Sequence, residues 1–208
     1  MDIKSFGPLA LSPTAVDADG VSASQSPAAG AILINGALAA AGVATFGAAQ
    51  LVRLTSGGND AGITFTFAGT DSDGRAQTET VAGTNASNSD TTKYFKTITG
   101  VTKSGAVATT IIIGNLIDSV SNTIRPNLAV PFCQIGMGVR LVSGTATYKV
   151  QHSYQDGTTA HPTVWFDNTA GAKATSSEAT YSTPVATIRI LLSASGTAVI
   201  SANVIQAG

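Results

Sequence analysis

Large apolar side chains recur at every second position in short runs along this chain. The runs are closed by Gly, Ser, Asn and Asp, and none is spaced like a helical stripe. The clearest is Ile63-Thr64-Phe65-Thr66-Phe67, with large apolar groups on one face and threonines on the other. It leads into the turn sequence Asp71-Ser72-Asp73-Gly74 and returns through Ala76-Gln77-Thr78-Glu79-Thr80-Val81. The pattern predicts a hairpin with one solvated face. Earlier in the chain, Ile32 and Ile34 bracket Leu33 before an Asn35-Gly36 turn signal, with 42–46 able to return from it. Further strands are predicted at 50–55, 94–101 and 106–113.

The second half repeats the style. A strand over 138–142 and a Ser143-Gly144 turn precede Ala146 to Tyr154, where Tyr148, Val150, His152 and Tyr154 share one face. Asp156-Gly157 turns the chain, Val164-Trp165-Phe166 makes a short aromatic strand, and 167–177 is a polar loop. A closing hairpin is predicted from 186–192 and 197–205 around Ser195-Gly196. Each half ends on a strand, a Ser-Gly turn and another apolar strand.

This spacing predicts an all-β chain: two tandem antiparallel β-sandwich or small barrel domains with an extended N-terminal arm. The expected boundaries are 1–27 for the arm, 28–117 for the first β domain, 118–131 for a Pro- and Asn-bearing linker and 132–208 for the second domain. The arm is rich in Ser, Ala, Pro and Asp without a clear period. In a monomer it reads as a loosely ordered tail; in an assembly it is an arm ordered against a neighbouring subunit, with its large apolar groups Phe6, Leu9 and Leu11 as the expected interface residues.

Only 11% of the 208 residues are Asp, Glu, Lys or Arg, against about 25% in ordinary soluble domains. A surface so poor in charge suits a subunit covered by copies or partners more than a free monomer. The net charge is −1 and the basic residues are scattered singly, so no nucleic-acid or membrane-surface partner is expected. Residues 28–51 carry no charge, but their glycines, Asn35 and small side chains fit two short strands better than a membrane span. The opening residues lack a basic region followed by an apolar run, so no secretory leader is expected.

Candidate chemistry is sparse. Cys133 is the only cysteine and sits in an apolar run, where a small buried hydrophobe is the expected role. The two histidines, His152 and His161, have no metal-ligand spacing between them. Asp71-Ser72-Asp73-Gly74 resembles the start of a calcium loop but lacks its distal Glu, and turn formation alone explains it. No nucleophile elbow, phosphate loop or dinucleotide fingerprint is present. The expectation is a protein that is not an enzyme, with no catalytic residues, cofactor or metal. The aromatics Tyr148, Tyr154, Trp165, Phe166 and Tyr181 fit a sandwich core, or, where exposed, a platform for stacking a sugar ring.

Several segments carry a resemblance. The run from Leu54 through Gly57-Gly58-Asn59-Asp60 and Ile63-Thr64-Phe65-Thr66-Phe67 to Gly74 resembles a segment of tailed-bacteriophage structural proteins, as do 77–81 and 93–101. Residues 23–30, 146–151 and the ending Val204-Ile205-Gln206-Ala207-Gly208 are similar to the same proteins. The resemblance covers most of 23–208 and implies a virion component made in the host cytoplasm. With the low charge, the expected role is a decoration or cement protein of the capsid. The expected partners are the major capsid protein or other virion proteins, together with copies of the chain itself, a trimer being one such form. A tail, collar or fibre-attachment component and a carbohydrate-binding adhesion module remain the alternatives.

Overall fold

The structure, a computed structural model, describes residues 3–129, 134–158, 160–194 and 198–207. It is all-β, with no helix among the described residues. The strands are β1 (Ile3–Leu11), β2 (Ser22–Gln25), β3 (Gly30–Ile32), β4 (Ala39–Ala40), β5 (Val43–Ser56), β6 (Thr64–Thr70), β7 (Ala76–Ala82) and β8 (Asn88–Asp90). They continue with β9 (Phe95–Lys103), β10 (Ile111–Val120), β11 (Gln134–Ser143), β12 (Ala146–Ser153), β13 (Phe166–Asp167), β14 (Ser177–Tyr181), β15 (Thr187–Ala194) and β16 (Val199–Ala207).

The chain divides into two compact units, but not in tandem. One comprises Thr14–Ser119, and the other combines the residues up to Pro13 with those from Val120 onward. The first unit is thus inserted into the second. The reason lies in how the insert is closed. The Gln50 side chain, fully buried on β5, accepts from Thr14 N at 2.8 Å and donates to Thr14 O at 3.0 Å. Asp17 N donates to Asn115 Oδ1 at 3.0 Å, and Asn115 N donates to Asp17 O at 3.2 Å. Entry and exit of the insert are therefore stitched side by side. Gly114 permits the approach, because a Cβ there would stand 2.1 Å from Asp17 O.

In the inserted unit the strands run β10-β5-β9-β6-β7, with β2 on β10, β3 on β9, and β4 and β8 on β5. The β6–β7 hairpin forms where the alternation places it, in register from Thr64↔Ala82 to Thr70↔Ala76. Its turn follows from Asp71, whose Oδ1 accepts from Asp73 N at 2.8 Å and Arg75 N at 2.9 Å, with Gly74 at φ 81°. Phe65 and Phe67 join Phe46, Val52, Leu54, Phe95, Ile98 and Ile111 in the core of this unit. The hairpin expected at Asn35-Gly36 lies elsewhere. β4 and β5 turn at Ala41-Gly42, both at positive φ (51° and 77°), as a type I′ turn requires. Asn35 instead accepts from Ala23 N at 3.1 Å.

In the terminal unit, a four-stranded antiparallel sheet has the order β1-β16-β11-β14. Alternate residues Ile135, Met137 and Val139 of β11 and Ile200, Ala202 and Val204 of β16 are buried. Strands β13-β12-β15 of the same unit contribute Tyr148, Val150, Ile188, Ile190 and Leu192 to the buried set. The Tyr148 hydroxyl ties the two groups of strands, donating to Thr175 O at 2.8 Å and lying 2.7 Å from Ser177 Oγ.

Two expectations are corrected here. Residues 3–11 are not a separate arm but a full strand along this chain's own β16, from Ile3↔Ala207 to Leu11↔Ile200. The described residues of the expected 118–131 linker are bound into the terminal unit. Ile124 bridges to Ile188, and Gln206 exchanges two hydrogen bonds with the Asn127 backbone at 2.8 and 2.6 Å.

Candidate functional site

Two surface features of the terminal unit stand apart from ordinary packing. The first grows from β12. Tyr148, Val150, His152 and Tyr154 follow one face, as the alternation predicts, but that face runs from core to solvent: Tyr148 is 1% exposed and Tyr154 62%. β13 pairs His152 with Phe166, which places Phe166, 48% exposed, beside the same face. The His152 ring lies 5.7 Å from Phe166 in a stacked arrangement, 5.4 Å from Tyr154 and 5.1 Å from Tyr181, both edge-on. Tyr154 and Phe166 are 5.8 Å apart. This is an aromatic platform with two wet rings, and His152 sits half-buried beneath it.

The surrounding apolar rings desolvate His152 and hold its pKa below the usual 6.5, so the neutral imidazole is favoured. Burial likewise pushes the Tyr181 hydroxyl up to about 12. The nearby Asn168 amide, which also donates to Thr180 O at 3.2 Å, offsets part of that rise.

The Val164-Trp165-Phe166 triplet is not a core strand, because Val164 and Phe166 are each about half exposed. Trp165 turns to the other face, where the Arg189 guanidinium lies 3.9 Å from its ring centroid. Arg189 donates to Gln151 at 2.9 Å, and Gln151 donates to Asp167 at 2.9 Å. Lys149 completes the chain with a 2.6 Å bond to Asp167. The bond from Gln151, then that from Lys149, holds Asp167 below the ordinary carboxylate range. This network fixes β13 against β12 and so sets the position of Phe166.

The second feature is a groove on the outward face of the four-stranded sheet. Gly136 and Gly138 alternate outward on β11, where a Cβ at either would meet nothing within 4 Å. Gly136 lies between Ile205 of β16 and Thr180 of β14. The missing side chain at Gly136 leaves an open hollow of about 530 Å³, which Gln134, Thr180, Ser182, Ile205 and Ala207 also line. Ile205 stands beside it as a ridge, 49% exposed, with Ile3 at 63% on the neighbouring strand. Arg140 is the only charged residue in either β11 or β16.

Of the residues expected at an interface, Leu11 is fully buried, and Phe6 and Leu9 are half-buried. They pair with Ile200, Val204 and Ala202 on the inward side of their own sheet. Cys133 lies outside the described residues. Comparison with known families, curated proteins and solved structures found no match. The site therefore rests on its own geometry. Neither feature carries an arrangement of nucleophile and base. What both offer is exposed apolar surface held on rigid strands, which is the equipment of contact. The sequence signalled the platform through the β12 alternation but gave no sign of the groove, because a glycine pair in a strand reads as weak strand content until its neighbours across the sheet are known.

Proposed function

We propose that this chain is a structural virion protein of a tailed bacteriophage that decorates or cements the capsid by bridging neighbouring capsid subunits. The observation that carries this reading is the exposed outward face of β11 and β16, where the Ile205 ridge stands beside Gly136 and Gly138 and Arg140 is the one charge. An 11% charge content and the sequence resemblance to phage structural proteins support it. Apolar faces with few ions to desolvate are suited to persistent contacts. The mechanism is mechanical: contacts made across subunit boundaries add burial that the lattice must lose before it opens. Capsid subunits are the partners, the virion is the location, and no catalytic step is involved.

Particles assembled with and without the chain test this. Those lacking it are expected to release their genome at a lower temperature, and added protein restores the original value. Equal release temperatures and no retention of added protein on particles would rule out the cementing role.

A tail, collar or fibre-attachment position would make the same use of these faces in a small ring. A carbohydrate-binding adhesion role is favoured by one specific observation, the 62% exposure of Tyr154 beside Phe166. Aromatic rings held open to solvent can stack on the apolar face of a sugar. On that reading Tyr154→Ala and Phe166→Ala each reduce binding to a glycan array at least tenfold while the fold persists. A glycan signal that is absent, or indifferent to both substitutions, removes the adhesion alternative.

A further inference from the structure

We infer that the outward face of the β1-β16-β11-β14 sheet is a self-pairing surface, on which a second copy of this chain docks face to face about a two-fold axis. The axis runs along the strands between β16 and β11. The inference deepens the assembly reading and rests on it only for its biological setting, since pairing is a property of the free chain.

The register carries the argument. Ser5, Ile205, Gly136 and Thr180 form one row across the sheet, and Asn203, Gly138 and Glu178 form part of the next. Rotation about that axis lays β16 of one copy over β11 of the other and β1 over β14. Each Ile205 ridge then enters the hollow left by Gly136 of the partner copy, Asn203 meets Gly138, and Ser5 meets Thr180. A knob and a hole side by side on adjacent strands are self-complementary, as an isologous contact demands. A glycine within a strand is also where another chain approaches closely.

Size and charge agree. Four strands about 4.8 Å apart, the longer ones about 30 Å in length, offer roughly 500 Å² per copy and about 1,000 Å² for the pair. That is the lower end of a specific interface, so pairing is concentration-dependent and is reinforced where many copies stand together. Arg140 lies over Ser201 of the other copy rather than over its own image, so the two-fold superposes no like charges on the central strands.

The test is the mass of the full chain by light scattering, measured as concentration rises to roughly 1 mM. The wild-type mass is expected to climb from 20.8 kDa toward twice that value. Gly136→Arg fills the hollow on a side where a Cβ meets nothing, so the variant folds with an unchanged unfolding temperature and stays at the monomer mass. Ile205→Ser removes the ridge and weakens pairing at least tenfold; it decides the matter if the arginine variant fails to fold. A wild-type chain that remains monomeric at every concentration overturns the proposal and leaves the face to a different partner. So does a mass of three chains, or a dimer that both substitutions leave intact. Pairing by a chain that is missing from virions would instead leave this inference standing and remove the virion reading.

Discussion

Leu11 and His152 show how single residues report on the account. Leu11 is fully buried against its own sheet, paired with Ile200, so Leu11→Ala creates a cavity and costs about 2–5 kcal/mol. Urea unfolding measures this, and an unchanged midpoint would mean that β1 is not part of the folded unit. His152 acts through protonation. Its folded pKa lies below the unfolded value of 6.5, so the unfolded chain binds the proton first. The contribution to stability is complete above pH 6.5 and is lost as pH falls below it toward the folded value. His152→Gln is expected to flatten that acid-side decline, as read from unfolding midpoints between pH 7.5 and pH 5, whereas an identical pH profile in the variant contradicts the assignment. The face that carries His152 was legible from the alternation of Tyr148, Val150, His152 and Tyr154. Which end of it is wet was not, because exposure depends on where the sheet stops, and β12 ends at Ser153.

At the scale of elements, periodicity reports a strand only while its register is unbroken. β6 and β7 pair without a shift, and the alternation over 63–67 and 76–81 falls close to their observed limits. β1 looks like an arm in the sequence because its register shifts between Phe6 and Leu9. The shift puts Phe6 and Leu9 on the same side although they are three residues apart, so period two disappears from the sequence. β5 is broken in the same way between Thr45 and Gln50. Turn chemistry misled at Asn35-Gly36 for a different reason. Both Asn35 and Gly36 hold 21–23, through Asn35 Oδ1 and through Gly36 N donating to Val21 O at 3.1 Å, while an alanine takes the left-handed position at the true turn. Because Ala41 holds φ 51°, Ala41→Gly or Ala41→Asn is expected to stabilise the chain, by at most about 1 kcal/mol. A loss of stability in thermal melts of both variants would argue against the I′ turn.

For the whole molecule, the all-β class was legible in the sequence, but the order of its parts was not. Tandem domains and an inserted domain give the same run of strands; only the pairing of residues 3–11 with 200–207 tells them apart. An insert whose ends are tied by Thr14, Gln50, Asp17 and Asn115 carries its own closure. Residues 14–119 expressed alone are therefore expected to unfold cooperatively in urea, and a gradual, non-cooperative loss of structure would show that the insert depends on the rest of the chain. The sparse charge, the open aromatic rings and a groove face with a single charge on its central strands support the proposed role in contact. The central claim is that those contacts are made on a phage capsid, and the most direct measurement is the number of copies per purified particle relative to the major capsid protein, by quantitative mass spectrometry. The account predicts a copy number comparable with that of the capsid lattice. A ring-sized number would move the protein to the tail or collar, and its complete absence from particles would contradict the claim.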